Sequence, residues 1–313
     1  MKTALHHIGL TVCDIQRATA LFHNIFGFVP LESPAFGTAI LGDGQLDGSI
    51  QSVVTLRTPN CSIELVQYDA ASGCVPQLRQ VNEAGITHFC IQSRHIQSLY
   101  DGLIDVGAQP NAPPTTLLTG TEYLYARDPE QNVIEIEGLP YAPDEQLPWL
   151  AHVAIATPDI ERLAGFYHGL LGGERRGGQK IGPNPLYDQI TGLQNVEVIP
   201  TWIVGANITL ELWQYLHPPT LPSSQLRPLN QPGYSHLCMQ VESLATAMEY
   251  IAAAGGQIVS SISKQDACSS ARVRDPDGNV LELVEIPGGR GWSVSEMSDP
   301  MIVQRVEALR TKV

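Results

Sequence analysis

Basic residues are scarce in this chain. Across 313 residues, 18 Lys plus Arg stand against 32 Asp plus Glu, a formal net charge of −14, and no basic cluster interrupts the acidic background. A polyanion such as nucleic acid is therefore excluded as an expected partner. Long apolar runs are also missing, so no membrane span is expected. The N-terminus enters a strand-like segment within a few residues instead of showing an apolar signal core, and a cytoplasmic location is the default expectation. The six cysteines, at 13, 61, 74, 90, 238 and 268, form no CxxC pair and no regular framework, so reduced thiols are expected in preference to disulfides. The remaining composition, 43% hydrophobic and 16% charged, is that of an ordinary globular chain long enough for two domains.

What the chain does have is an internal repeat that carries chemistry. His7, Glu64, His88 and Glu135 recur as His152, Glu211, His236 and Glu282, with shifts of 145, 147, 148 and 147 residues. Two imidazoles and two carboxylates are a suitable ligand shell for one divalent metal, and each copy holds such a set. Strand alternation supports the grouping. In CSIELVQY, Ile63 and Leu65 face one way, while Glu64 points to the opposite, more polar face. The same parity opposes His7 to Ile8, His88 to Phe89 and Ile91, and Glu135 to Ile134 and Ile136. In the second copy it opposes His152 to Val153 and Ile155, Glu211 to Leu210 and Leu212, His236 to Leu237 and Met239, and Glu282 to Leu281 and Leu283. Any one of these residues alone would read as a solvated strand residue; type, order and facing repeated together would not.

Segment 5–12 reads as a strand, followed by a helix capped by Asp14 that uses Ile15, Ala18, Leu21, Phe22, Ile25 and Phe26 and stops at Gly27. Segment 150–157, Asp159 and the apolar residues up to Leu170 before Gly172 repeat this plan. Strand-like runs follow at 36–41, 51–58 and 61–68, and at 196–204 and 207–215. The unit then restarts: strand 86–92 precedes a helix from about Ile96 to Val106, and strand 235–241 precedes one from Leu244 to Ala254. Each restart ends in further strands, giving four βαβββ-like units in two pairs. The expected organisation is a first domain over 1–139, a Pro-bearing linker over 140–148, a second domain over 149–287 and a tail over 288–313. In the tail, Asp299 and Pro300 open a short helix on Ile302, Val306 and Leu309, expected to cover an edge or interface.

The strings HHIGLTVCDIQRATALFHNIFGF and AHVAIATPDIERLAGFYHGLLGG, IELVQY and LELWQY, GITHFCIQ and GYSHLCMQ, and RDPEQNVIEI and RDPDGNVLEL occur in fixed order, twice. In these residues the chain resembles the vicinal oxygen chelate superfamily, the glyoxalase/bleomycin-resistance/dioxygenase group, from about residue 5 to residue 287. The resemblance implies an α+β fold in which four βαβββ modules form two cupped, mostly antiparallel sheets with helices on the outer face. It places the metal ligands on the same eight residues and gives the general-base role to Glu135 or Glu282. Thr11 and Ala156 stand where glutathione-binding glyoxalase I enzymes carry an arginine, which points away from glutathione adducts. In the first copy DPEQ replaces DPDG, a turn change bearing on how Glu135 is presented.

The expected function is a divalent-metal-dependent lyase, isomerase or epimerase acting on a small substrate chelated through two oxygens, with one metal (Fe, Ni, Co, Mn or Zn) per active domain. A ferrous extradiol-type dioxygenase is the alternative, and a small-molecule binding or resistance protein the second alternative. The chain is expected to be a monomer or homodimer. The intact DPDG turn and the long loop 173–195 both favour the second copy for catalysis. Tyr68, Tyr215, Trp213, Cys90, Cys238, Gln92 and Gln240 share the inward parity and are candidate substrate-binding residues, although the two cysteines also suit packing. His6, His23 and His168 are read as unrelated to the metal.

Overall fold

The computed structural model describes residues 3–31, 50–69, 74–116, 120–221, 228–265, 268–287 and 293–310. The strand expected at 36–41 and the glycine-rich start of the tail lie outside them. The first unit comprises β1 (Thr3–Thr11), α1 (Ile15–Phe26), β2 (Val29–Pro30), β3 (Ile50–Arg57) and β4 (Ser62–Tyr68). The second comprises β5 (Gly85–Ser93), α2 (Ile96–Asp105), β6 (Gln109–Pro110), β7 (Thr115–Thr116), β8 (Glu122–Arg127) and β9 (Val133–Gly138). The third has β10 (Trp149–Ala156), α3 (Ile160–Leu171), β11 (Glu174–Gly177), α4 (Pro185–Thr191), β12 (Glu197–Val204) and β13 (Thr209–His217). The fourth has β14 (Gly233–Val241), α5 (Leu244–Ala253), β15 (Gln257–Ile258), β16 (Ser263–Gln265), β17 (Cys268–Arg274) and β18 (Val280–Glu285), and α6 (Ile302–Arg310) closes the chain.

Local chemistry accounts for the helix boundaries. Asp14 accepts a hydrogen bond from the Arg17 amide, Asp159 does the same for Arg162, and Gly27 and Gly172 end their helices in the left-handed region at φ 72° and 66°. Gln131 takes the left-handed φ of 67° where the fourth unit has Gly278 at 91°. The turn survives because Asp128 still binds the Asn132 amide, as Asp275 binds that of Asn279. The exchange of DPEQ for DPDG therefore leaves the approach to Glu135 intact.

The strands form two mixed sheets of nine, ordered β15-β17-β18-β14-β1-β4-β3-β2 with β16 on β17, and β11-β12-β13-β10-β5-β9-β8-β6 with β7 on β8. Units one and four share the first sheet; units two and three share the second. Each sheet is joined at its centre by an antiparallel pair, β1 with β14 and β10 with β5. One continuous hydrophobic core gathers the apolar faces of both sheets and the inner faces of α1, α2, α3 and α5, including Phe22, Phe89, Leu163, Tyr167 and Ile251. The opposite faces of the sheets carry the histidines and carboxylates among smaller apolar clusters such as Val66 with Tyr68 and Trp213 with Tyr215. Among the described residues no helix is long and apolar enough to cross a membrane.

The expectation of reduced cysteines fails at one pair. Cys13 and Cys74 form a disulfide, with Cα atoms 5.3 Å apart across a separation of 61 residues. No local spacing announces such a bond, because the fold, and not the sequence interval, brings the end of β1 to the segment after β4. Ile302 and Val306 are buried against Leu139, Ala142 and Trp149, and Gln304 binds the carbonyls of Gly205 and Ala206.

Candidate metal centres

The eight repeated side chains converge as two quartets, but each quartet draws on both halves of the sequence. His7 and Glu64 meet His236 and Glu282; His88 and Glu135 meet His152 and Glu211. The expectation of one quartet from each half is thereby corrected. The physical cause is the sheet pairing: β1 lies against β14, which places Gly9 opposite His236, and β10 lies against β5, which places Ala154 opposite His88.

In the first quartet His7 Nε2 is 3.2 Å from His236 Nε2, and Glu282 Oε2 is 3.8 and 3.6 Å from them. Glu64 Oε1 reaches both imidazoles at 3.9 Å. In the second, Glu135 Oε2 lies 2.7 Å from His152 Nε2 and 3.2 Å from His88 Nε2, and Glu211 Oε2 lies 3.2 and 3.9 Å from the same atoms. Metal–ligand bonds of about 2.0–2.2 Å at right angles put neighbouring donors roughly 3 Å apart and opposed donors roughly 4.2 Å apart. The second quartet matches such spacings, and so do His7, His236 and Glu282 of the first, with Glu64 reaching the two imidazoles at 3.9 Å. Glu64 Oε1 and Glu211 Oε2 are buried without a hydrogen-bond partner, an arrangement a bound cation would satisfy. The residues present thus fit a divalent metal.

Burial sets the electrostatics. It pushes Glu64 up to about 8, with Glu282 adding to the effect, and Glu282 up to about 7 despite the pull of Arg272. His236 is lowered to about 3 by burial and then by Arg272, and His7 is lowered by burial, His6 and His236. In the second quartet burial opposes ionisation of Glu135, yet His152 and His88 hold it down at about 2. Burial likewise opposes the charge on His152, which Cys90, Glu211 and Glu135 nevertheless favour.

The supporting side chains were largely missed by sequence reasoning. Thr87 Oγ1 lies 3.0 Å from His88 Nδ1 and Ser235 Oγ 3.0 Å from His236 Nδ1, leaving each Nε2 for the centre. A hydroxyl residue just before the second histidine in both copies, THFC and SHLC, was the available signal. His6, read as unrelated to the metal, is buried with its Nδ1 2.9 Å from His7 Nδ1. Its apolar neighbours gave no sign that β1 is buried on both faces. Trp202 Nε1 donates to Glu211 Oε1 at 2.8 Å, and the Tyr125 hydroxyl lies 3.2 Å from His88 Nε2.

A cavity of about 240 Å³ adjoins the second quartet, lined by Glu135, His152 and Glu211 together with Tyr123, Tyr125, Tyr187, Trp202, Trp213 and Arg310. Trp213 is thus at the wall, with Tyr215 stacked behind it at 5.6 Å. Tyr68 is buried near Glu64 and Glu282, its hydroxyl raised to about 12 chiefly by burial. Cys90 and Cys238 are fully buried opposite His152 and His7 in register and back these histidines. Gln92 donates to Glu137, while Gln240 binds Ser293 and the Val294 amide at the tail and lines a separate cavity between the tail, β14 and β18, not the one beside the second quartet. The two features that favoured one copy separate: the loop over 173–195 contributes Tyr187 and Ile190 to the cavity of the second quartet, whereas the DPDG turn leads into β18 and Glu282 of the first.

The sequence profile of the Glyoxalase/Bleomycin resistance protein/Dioxygenase superfamily matches residues 4–136 and 149–283. The chain belongs to that superfamily. Among solved structures it is similar to glyoxalase I from Zea mays, at 17% identity and a TM-score of 0.63, covering 98% of this chain and 96% of that one. It is also similar to a candidate dioxygenase from Bacillus subtilis, at 14% identity and a TM-score of 0.60, covering 99% and 95%. At these identities the likeness establishes the shared glyoxalase-like fold. No curated protein sequence matches the chain significantly.

Proposed function

We propose that the chain is a divalent-metal-dependent enzyme of lyase, isomerase or epimerase type. Its working site is His88, Glu135, His152 and Glu211, and its substrate is a small molecule held through two neighbouring oxygens. The observation that carries this reading is one donor atom from each of these four residues, all within 4.8 Å of one another, with Glu135, His152 and Glu211 at the wall of a 240 Å³ cavity. A divalent ion bound there would supply Lewis acidity to the substrate oxygens. Trp202 fixes Glu211 through its second oxygen, whereas Glu135 is bonded through Oε2 alone, to the two histidines. Glu135 thus keeps its other oxygen for a substrate proton. The aromatic walls exclude water from the proton being moved and hold a compact substrate against the base.

Elemental analysis of protein purified without added metal tests the metal assignment. Nickel, cobalt, manganese or zinc is expected; iron accompanied by oxygen uptake would transfer the assignment to a ring-cleaving dioxygenase, and no bound metal would leave a binding protein. For the base, hydrogen–deuterium exchange at the carbon beside the carbonyl can be followed by NMR across a panel of small α-hydroxycarbonyl compounds. Glu135→Gln should slow that exchange by about 100-fold or more with the fold intact; an equally active variant overturns the role.

A further inference from the structure

Arg272 on β17 stands directly opposite Glu282 on β18, and Tyr125 on β8 holds the matching place opposite Glu135 on β9. The guanidinium Nη2 lies 3.7 Å from Glu282 Oε1, and the residue is only 7% exposed, so a permanent positive charge sits inside the first quartet. Glu282 is then shared: Oε1 faces Arg272 while Oε2 faces His7 and His236. At the second quartet the corresponding group is an uncharged phenol whose oxygen touches His88. Counting the two ligand carboxylates of each quartet, once ionised, with the residue across from Glu282 or Glu135, the guanidinium leaves the first set one negative charge and the phenol leaves the second set two; Glu137 and Arg310, which also line the second cavity, carry opposite charges.

Geometry runs the same way. One donor atom from each member of the second quartet lies within 4.8 Å of the rest, whereas the set meeting that limit in the first is His7, His236 and Glu282, with Glu64 reaching the histidines at 3.9 Å. Glu211 is steadied by Trp202, while the residue across from Glu64 is Thr55, whose hydroxyl has no hydrogen-bond partner. A fixed cation a few ångströms away repels an incoming dication and competes with it for a carboxylate.

We infer that Arg272 is an internal counter-cation that makes His7, Glu64, His236 and Glu282 the weaker metal site, so that a divalent ion fills the second quartet first. The inference rests on the metal-dependent reading above, and its test separates the two. Calorimetric titration of the metal-stripped full chain with zinc should resolve two classes of site at least about tenfold apart. His88→Ala should abolish the tighter class, and Arg272→Tyr or Arg272→Met should strengthen the weaker class by about tenfold or more. Tyr125→Arg should weaken the tighter class, giving an independent check if replacement of Arg272 impairs folding. Two sites of equal affinity, loss of the tighter class in His236→Ala, or a weaker class unmoved in natively folded Arg272 variants overturns the inference while leaving metal dependence standing. Absence of zinc binding at either quartet overturns the metal-dependent reading itself and the inference with it.

Discussion

Gly9 lies across from His236 in the central strand pair of the first sheet, and a β-carbon there would fall 2.1 Å from the imidazole. At the matching place in the other sheet, Ala154 faces His88. Gly9→Ala should therefore displace His236, cost about 1–3 kcal/mol of stability by overpacking, and remove metal from the first quartet alone. Thermal denaturation with metal counting checks this; an unchanged stoichiometry rejects it. Titration gives a second expectation for the metal-free chain. Glu64 and Glu282 rise from 4.5 to about 8 and about 7 through burial, so the folded state holds their protons more tightly than the unfolded state. Their contribution is complete below the unfolded value and is lost as pH climbs through about 7 to 8. His236, lowered from 6.5 to about 3, contributes in the reverse sense: its share is present above the unfolded value and is lost as pH falls through about 3. Thermal stability of the metal-free protein should thus decline between about pH 6.5, where His236 stops offsetting the loss, and about pH 8, and saturation with metal should flatten the profile. A metal-free profile already flat over that range rejects the expectation.

Element boundaries were the most legible part of the chain. The helix capped by Asp14 and ended by Gly27 spans Ile15–Phe26, and the strand expected over 61–68 spans Ser62–Tyr68, because caps and alternation act over a few residues. Less legible was the loop over 173–195, which contains β11 and the short helix α4, opened by Asn184 and Pro185. The helix of the tail was expected, yet its role depends on a surface no local pattern describes. Ile302 is fully buried beside Trp149, the first residue of β10. Ile302→Ala should cost about 2–5 kcal/mol by leaving a cavity there; a change in denaturation midpoint too small to reflect that loss would show that the tail merely rests on the sheet.

At the scale of the molecule, the repeat is expressed as reciprocal contacts. Asn60 binds the carbonyls of Leu150 and Asn207, while Asn207 binds those of Leu5 and Asn60. Glu130 of the second unit accepts from the Cys13 amide and Arg17 of the first, and Asp277 of the fourth accepts from Thr157 and Arg162 of the third. These contacts tie each sheet to the other across an approximate two-fold relation. Paired substitutions test how the quartets are assembled. His7→Ala with His236→Ala, from opposite halves, should spare the second quartet and its metal, whereas His7→Ala with His88→Ala, both from the first half, should damage both centres. The converse result, read by metal content at saturating zinc, would return each quartet to one half of the sequence.

The sequence by itself determined the four units, the identity of the eight ligand-type residues and the face each occupies, since repeat and alternation are properties of the local chain. Tertiary structure decided which of the eight meet. Pairing of β1 with β14 and of β10 with β5 is a contact between distant segments, and either partition of the repeat satisfies the same local pattern. It also decided what stands beside each quartet: Arg272 or Tyr125, Thr55 or Trp202. These neighbours lie across strands, where separation along the chain carries no information about distance in space.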